Sequence, residues 1–446
     1  MCAFSFYPNK TNIDKSIKFD KIKVQLKNLR KIGYLMIKRA IEKAIIDAMQ
    51  VKPVVLITGA RQVGKSTLCN SIAKDFNYNY VSLDNLRERE TAINDPELFL
   101  TLHKSPLIID EVQYAPKLFE VIESIVNKAK LEGKNNKGMY ILTGSQCFQL
   151  MQGVSQSMAG RVAIIEMSPL TKREIKGVNE DSLVINLEKC KEINDINIID
   201  VDELYTLIVK GFYPELYDND KLSSEMFYSD YVRTYLERDV SQLINLKDKL
   251  KFQRFLEVLA SLTGEELITN NLAKAIGVSV LTIQSWISIL LASGIIFLLE
   301  PYNENSALKR VVKRPKLYFV DTGLAAYLSR LDNPSVLRNS IFSGRFIETY
   351  IVNEIVKSFK NKNLKAEFYY YRDVDQREID LVILDKGTLH FIECKSGISY
   401  SKKDINAFYI LKKNTNFKVG SSAVICLTPS IYPIDLDIYC IPIWAI

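Results

Sequence analysis

The stretch Val54-Val-Leu-Ile-Thr-Gly-Ala-Arg-Gln-Val-Gly-Lys-Ser-Thr67 constrains the rest of this chain most. Apolar strand formers from Val54 to Ile57 lead into Gly59-x-x-x-x-Gly64-Lys65-Ser66, and a helical pattern follows from Thr67 to Lys74. Glycines free the backbone N–H groups to wrap a triphosphate, the lysine meets the β/γ-phosphates, and the hydroxyl ligates Mg²⁺. The spacing therefore predicts a phosphate-binding loop for ATP or GTP. Gly59, Ala60, Arg61, Gln62, Val63, Gly64, Lys65, Ser66 and Thr67 are the expected nucleotide contacts, with Ser66 also a metal ligand.

Strands and helices alternate on either side of this loop. A helix is expected from Ile37 to Met49, a strand from Asn79 to Asp84, and helices over 85–92 and 96–103. A buried strand, Pro106-Leu-Ile-Ile-Asp110-Glu111, precedes a helix from Lys117 to Leu131 and another strand ending in Thr143-Gly144-Ser145. That alternation predicts an α/β fold with a parallel, doubly wound sheet and the nucleotide at its C-terminal edge. Asp110, ending a strand expected to lie next to the loop, is placed to organise Mg²⁺. Glu111 is placed to polarise the attacking water as catalytic base. Thr143 and Ser145 either sense the γ-phosphate or serve only the turn at Gly144.

Together with Ala159-Gly-Arg161, the runs Gly-Ala-Arg-Gln-Val-Gly-Lys-Ser-Thr, Ile-Asp-Glu-Val-Gln and Leu-Thr-Gly-Ser-Gln resemble a prokaryotic branch of the AAA+ ATPases. Members of that branch carry an uncharacterised C-terminal domain. The resemblance implies ATP rather than GTP, and an arginine that stabilises the leaving γ-phosphate in cis or from a neighbouring subunit, so oligomerisation is possible. Arg161 and Arg61 are the candidates; a surface ion pair is the alternative for each. Gly211-Phe-Tyr-Pro-Glu215 and the helical run from Tyr231 to Asp239 also match the family, as a helical lid. There Arg233 and Arg238 either reach nucleotide or pair with neighbouring acids.

Residues 269–294 read as helix–turn–helix, with Thr269 or Asn270 capping the first helix, Gly277 making the turn and Ser279 capping the second. An apolar tail from Ile295 to Leu299 follows as the first strand of a wing. No Lys or Arg occurs between Lys274 and Lys309, so this winged helix is expected to serve packing or a protein partner before DNA. Basic residues from Lys309 to Lys316 are the alternative source of phosphate contacts.

At the C-terminus, Gly344-Arg-Phe-Ile-Glu348 opens a helix. Glu378-Ile-Asp380 and Leu389-His-Phe-Ile-Glu393-Cys-Lys395 lie on strands joined by a hairpin at Asp385-Lys-Gly387. Asp380, then Glu393-x-Lys395, with an upstream helical Glu348, resembles the PD-(D/E)XK nuclease superfamily. The resemblance implies that Glu348, Asp380 and Glu393 hold Mg²⁺ and that Lys395 activates water at a phosphodiester. A Lys–Glu ion pair at a sheet edge is the alternative, and such a fold also serves as a binding platform that cuts nothing.

The remaining observations narrow the classes. Seven cysteines without a Cys-x-x-Cys pair and only two histidines argue against a zinc site and fit a reducing, cytoplasmic compartment. The longest apolar run, Ile287 to Leu299, is too short to span a bilayer, so no membrane partner is expected. Residues 1–35 hold eight Lys/Arg against two Asp/Glu, six of the formal +7. They are either an extension upstream of a chain start at Met36 or a basic arm that touches nucleic acid.

The expected organisation is a basic extension over 1–35, an AAA+-type core over 36–175 and a connector with helical lid over 176–250. A winged helix over 251–330 and a restriction-endonuclease-like α/β domain over 331–446 complete it. The leading expectation is a Mg²⁺-dependent ATPase acting on or regulated by DNA. The alternative is a nucleotide-switched scaffold whose C-terminal domain is silent.

Overall fold

The computed structural model describes residues 37–144, 158–178, 199–236, 249–303 and 314–446. Ser145, Arg238, the basic positions 309–313 and residues 1–35 lie outside the described residues.

Five parallel strands make the first sheet: β1 (Val54–Thr58), β2 (Asn79–Ser82), β3 (Leu107–Asp110), β4 (Tyr140–Thr143) and β5 (Val162–Glu166). Their order is β2-β3-β4-β1-β5. The strand that ends in Asp110 is therefore not adjacent to the phosphate-loop strand, as the sequence suggested. β4 stands between them, pairing Ile57 with Thr143 on one side and Leu107 with Tyr140 on the other. All five residues of β1 are buried, as a central parallel strand requires.

Alternation along β1 sends its side chains into two cores. Val54 and Leu56 pack with Leu107, Ile109 and Leu142 against Phe99, Phe119 and Ile122 of the helices Pro96–Leu102 and Leu118–Leu131. Val55 and Ile57 enter a second core that runs from Ile37 to Ile446 and includes most of the later elements. Helix α1 (Glu42–Val51) lies on that side, as does α2 (Lys65–Phe76), which follows the phosphate loop.

Helix α3 (Lys172–Lys176) leaves β5 through a capping box between Thr171 and Glu174 and ends on Gly177 at φ 70°. The segment expected as a lid contains α4 (Val201–Lys210), a short helix Glu215–Asp218 and α5 (Ser224–Tyr231). Of the helix expected from Tyr231 to Asp239, the end of α5 and a π-helical turn over Val232–Leu236 are present, and residues 237–239 lie outside the described residues.

The expected helix–turn–helix consists of α6 (Thr269–Ile276) and α7 (Val280–Ala292), bent by 109° about Gly277. Ser279 caps α7, its Oγ accepting the Thr282 N–H at 3.1 Å. The cap position of α6 is Ile268, with no side-chain cap bond, rather than Thr269 or Asn270.

Strands β6 (Glu265–Glu266), β7 (Ile296–Pro301) and β8 (Lys316–Phe319) follow these helices as antiparallel partners. They do not close a sheet of their own. β7 also pairs in parallel with β9 (Glu367–Arg372), Glu300 opposite Tyr369 and Pro301 opposite Tyr370. The sheet continues through β10 (Glu378–Asp385), β11 (Thr388–Cys394), β13 (Ser422–Cys426), β15 (Ile438–Pro442) and β14 (Tyr432–Asp435), with β12 (Lys418–Val419) beside β11. Ten strands thus cross the expected boundary at 330/331 as one sheet among the described residues.

Helix α8 (Ser343–Asn361) docks this sheet on the ATPase-like core. The Lys357 ammonium donates to the Leu170 carbonyl at 3.0 Å, Lys360 pairs with Glu166 at 2.7 Å, and Glu354 accepts the Lys172 N–H at 2.8 Å.

Candidate functional site

The loop after β1 folds as it does because two of its positions exclude a side chain. Gly59 sits at φ 138°, and a Cβ there would overlap the Met167 carbonyl oxygen. Gly64, at φ 93°, is the N-cap of α2 and turns the chain so that the first helical amides face the loop. A cleft of about 440 Å³ opens there, lined by Arg61, Gln62, Gly64, Lys65, Ser66 and Thr67 on the loop side and by Glu111 and Tyr114 opposite. Lid residues Pro214, Glu215 and Asp218 close its outer wall.

Lys65 is buried, and its ammonium donates to the carbonyls of Gly59 at 3.0 Å and Ala60 at 2.8 Å. Burial pulls this lysine down to about 8, with the Glu111 and Asp110 carboxylates opposing the shift. Its bonds are to its own loop, so phosphate oxygens can replace them without stranding a charge. Asp110 is buried and held at both oxygens: Thr143 donates to Oδ1, and the Tyr80 hydroxyl donates to Oδ2 at 2.8 Å. Burial and that bond push the Tyr80 phenol above its ordinary range. Glu111 adopts φ 58° and ψ 43°, a left-handed conformation that turns the chain sharply at the strand end. Its backbone N–H donates to Thr143 Oγ1 at 3.3 Å, and the Gln113 amide donates to its carboxylate. Thr143 therefore fixes both acids at once. The loop amides, Lys65, Ser66 and Glu111 facing one cleft, with Asp110 buried behind it, fit a nucleoside triphosphate with Mg²⁺.

The two expected arginines part company. Arg161 is at the start of β5, the opposite end of the sheet from the loop, where it pairs with Glu123 at 3.0 Å and donates to Asn127 at 2.7 Å. It cannot meet the phosphates of its own chain. Arg61 lines the cleft, and Arg233 is exposed on the lid. An arginine missed in the sequence does the supporting work. Arg39 is buried beneath the loop and donates to the Val63 carbonyl at 2.6 Å, the Ser168 carbonyl at 2.7 Å and the Glu174 carboxylate at 3.0 Å. A lone Arg before a helix looks solvated in a sequence; its partners lie up to 135 residues away. The turn after α7 also reaches the loop: a Cβ on Gly294 would stand 3.4 Å from the Ala60 nitrogen.

The C-terminal constellation does assemble. Glu348 on α8, Asp380 on β10 and Glu393 with Lys395 at the end of β11 converge at one place. Lys395 pairs with Glu393 at 2.6 Å, and Asp380 Oδ2 accepts the Cys394 N–H at 2.8 Å. Burial opposes the Lys395 charge, but Glu393 and Asp380 outweigh it and hold the ammonium above the ordinary lysine range. One group was not expected there. Lys316, from β8, places its ammonium 2.8 Å from Glu348 Oε1, 3.5 Å from Asp380 Oδ1 and against Glu378. The Tyr318 hydroxyl donates to the same Glu348 oxygen at 2.6 Å. Burial pushes Glu348 up to about 7, with Lys316 opposing.

These acids do not fit a resident metal as they stand. Glu348 Oε1, both Asp380 oxygens and Glu393 Oε1 are engaged by Lys316, Lys395, a hydroxyl and a backbone amide. Among the described residues no group of three His, Cys, Asp or Glu side chains is arranged to hold a metal ion. Glu393 Oε2 is buried without a hydrogen-bond partner, and burial beside Asp380 pushes this carboxyl well above the ordinary range.

Residues 51–176 match the family described as an AAA domain. Residues 201–335 and 343–446 match two domains of unknown function, DUF8612 and DUF4143. Uncharacterized proteins of Mycobacterium tuberculosis and Mycobacterium bovis are each 26% identical over 348 residues, covering 78% of this chain and 71% of theirs. Among solved structures, a Walker-type ATPase of Pyrococcus abyssi is 14% identical with a TM-score of 0.35, covering 65% of this chain and 94% of that one. RuvB of Thermotoga maritima is 18% identical with a TM-score of 0.29, covering 61% and 93%. TM-scores this low add nothing to the strand order and the AAA match. Those two findings make the N-terminal region an AAA-type P-loop domain.

Proposed function

We propose that this chain is an ATP-binding, Mg²⁺-dependent ATPase of the AAA+ type whose helix–turn–helix segment, read as a winged helix, responds to bound nucleotide. The observation that carries this reading is the Lys65 ammonium bonded to the Gly59 and Ala60 carbonyls in a cleft it shares with Glu111. On ATP binding Lys65 would exchange those carbonyls for β/γ-phosphate oxygens, while the loop amides wrap the chain of phosphates. Ser66 and Asp110 would hold Mg²⁺, which neutralises charge on the phosphates. Glu111, steadied by Gln113 and Thr143, would orient and deprotonate the attacking water. Arg61 is the nearer candidate for the γ-phosphate in cis; Arg161 remains open only to a neighbouring subunit's site. Action on DNA, or regulation by it, is the broader part of the proposal. Lys309, Arg310 and Lys313 of the basic run would make the phosphate contacts, Lys316 being taken up by the C-terminal acids.

A second reading is favoured by one specific observation. Lys316 within the C-terminal acids supports a nucleotide-switched scaffold whose nuclease-like domain binds and does not cut. The contact between Gly294 and Ala60 supports transmission from loop to sheet in either reading.

Two variants test the shared premise. K65A should lose ATP binding, measured by equilibrium titration. E111Q should retain binding while turnover falls by about 10²–10⁴-fold, the usual contribution of a positioned base. A K65A protein hydrolysing ATP at the wild-type rate would overturn the assignment.

A further inference from the structure

We infer that the C-terminal acid cluster is a cation site whose cation is this chain's own Lys316 ammonium, and that it takes a divalent metal only when that side chain is removed. The inference concerns the C-terminal domain and does not depend on ATP turnover.

Three carboxylates converge on the Lys316 ammonium: Glu348 from α8, and Glu378 and Asp380 from β10. The side chain is only 6% exposed. Its backbone is pinned on both edges of β8, with Leu299 of β7 opposite on one side and Glu266 of β6 on the other. The pairing fixes where the Lys316 side chain starts, and its burial among three carboxylates holds the ammonium there. A divalent ion sits about 2.0–2.6 Å from its oxygen ligands. An ion sharing the Glu348 and Asp380 oxygens would lie within van der Waals contact of the ammonium, a like charge in a largely buried site. The two cations exclude each other.

The cluster is also satisfied in detail. Glu348 Oε1 takes both Lys316 and the Tyr318 hydroxyl, Asp380 divides its oxygens between Lys316 and the Cys394 amide, and Arg372 meets Glu378 Oε2 at 3.2 Å. The ammonium thus holds β8, α8 and β10 together at the place where a metal would otherwise do so. Glu393 and Lys395 form the adjoining pair, with Glu393 Oε2 buried and without a hydrogen-bond partner.

Mn²⁺ titration of the full-length protein without nucleotide, followed by electron paramagnetic resonance of the free ion, tests this. Wild type, D380N, K316M and K316M/D380N would be compared, with folding checked by circular dichroism and gel filtration. Wild type should bind no Mn²⁺ beyond D380N. K316M should gain one equivalent, roughly tenfold tighter or better than any wild-type binding, because the like charge has gone. K316M/D380N should lose it again. A wild-type site that is lost in D380N overturns the inference, whether or not K316M folds. So does a folded K316M that binds no metal. Should K316M not fold, absence of a D380N-sensitive site in wild type sustains it. ATP turnover in wild type is read separately, so failure here leaves the ATPase reading standing.

Discussion

Replacing Arg39 with Met would cut three bonds beneath the phosphate loop: to Val63, to Ser168 and to Glu174. The Arg39 and Glu174 side chains are 5% and 2% exposed, so solvent cannot take over the ion pair. Removing one partner of a buried pair costs about 3–5 kcal/mol, chiefly because the other charge is stranded. Two carbonyls losing a donor add to this, though the terms overlap and do not sum. Against a typical stability of about 5–15 kcal/mol, R39M should lie near the edge of folding. The double variant R39M/E174Q strands no charge. Its single amide oxygen can keep only one of the two backbone bonds that Glu174 accepts through different oxygens, from the Ala40 N–H at 2.8 Å on Oε1 and from the Thr171 N–H at 2.9 Å on Oε2. Relief of the stranded charge outweighs that lost bond, so the double variant should recover about 1 kcal/mol or more relative to R39M. Urea unfolding of wild type, R39M, E174Q and the double variant, read by tryptophan fluorescence, gives the cycle. An R39M loss below about 1 kcal/mol, or no coupling between the two sites, would refute the role given to Arg39.

Gly59→Ala should abolish the stabilisation that ATP confers in a thermal melt, because its methyl would overlap the Met167 carbonyl and its φ of 138° suits glycine. Retained ATP stabilisation would show that the loop can relax. Lys172 is fully buried, and burial pulls its ammonium down to about 7, with Glu354 opposing. Between pH 7 and the ordinary lysine value of 10.5 the unfolded chain then binds more protons than the folded one. Stability should rise with pH across that window, by up to about 1.4 kcal/mol per unit from this group. K172M should flatten that rise, checked by urea midpoints at several pH values.

The fold of the phosphate loop was legible because its constraints are local. Four apolar residues, two glycines and a lysine at fixed spacing suffice to specify strand, turn and helix start. Asp110 and Glu111 could be read for the same reason, at the end of a short apolar run. Their distance from β1 could not: β3 and β4 are equally apolar, and nothing in either run says which lies beside the loop. Arg39 escaped notice because its acceptors are backbone carbonyls and a glutamate distant in sequence. Lys316 was visible, but as the last member of a basic run that looked fit for phosphate contacts. The carboxylates that claim it stand 32 to 64 residues further on, and only the pairing of β7 with β9 brings them to it. Arg161 shows the reverse problem: its motif position is distinctive, yet the strand it begins starts at the far end of the sheet and only its other end reaches the loop.

The pairing of β7 with β9 has a consequence for how such chains are assembled in evolution and in the laboratory. A cut between residues 301 and 367 would expose unpaired edges on both halves, each beside an apolar face. Raw edges of that kind invite pairing with other chains and insolubility. A stable fragment must therefore keep the helix–turn–helix segment and the C-terminal sheet together. A fragment starting at residue 343, where the sequence family begins, would lose the strands that carry Lys316 and the β9 partner.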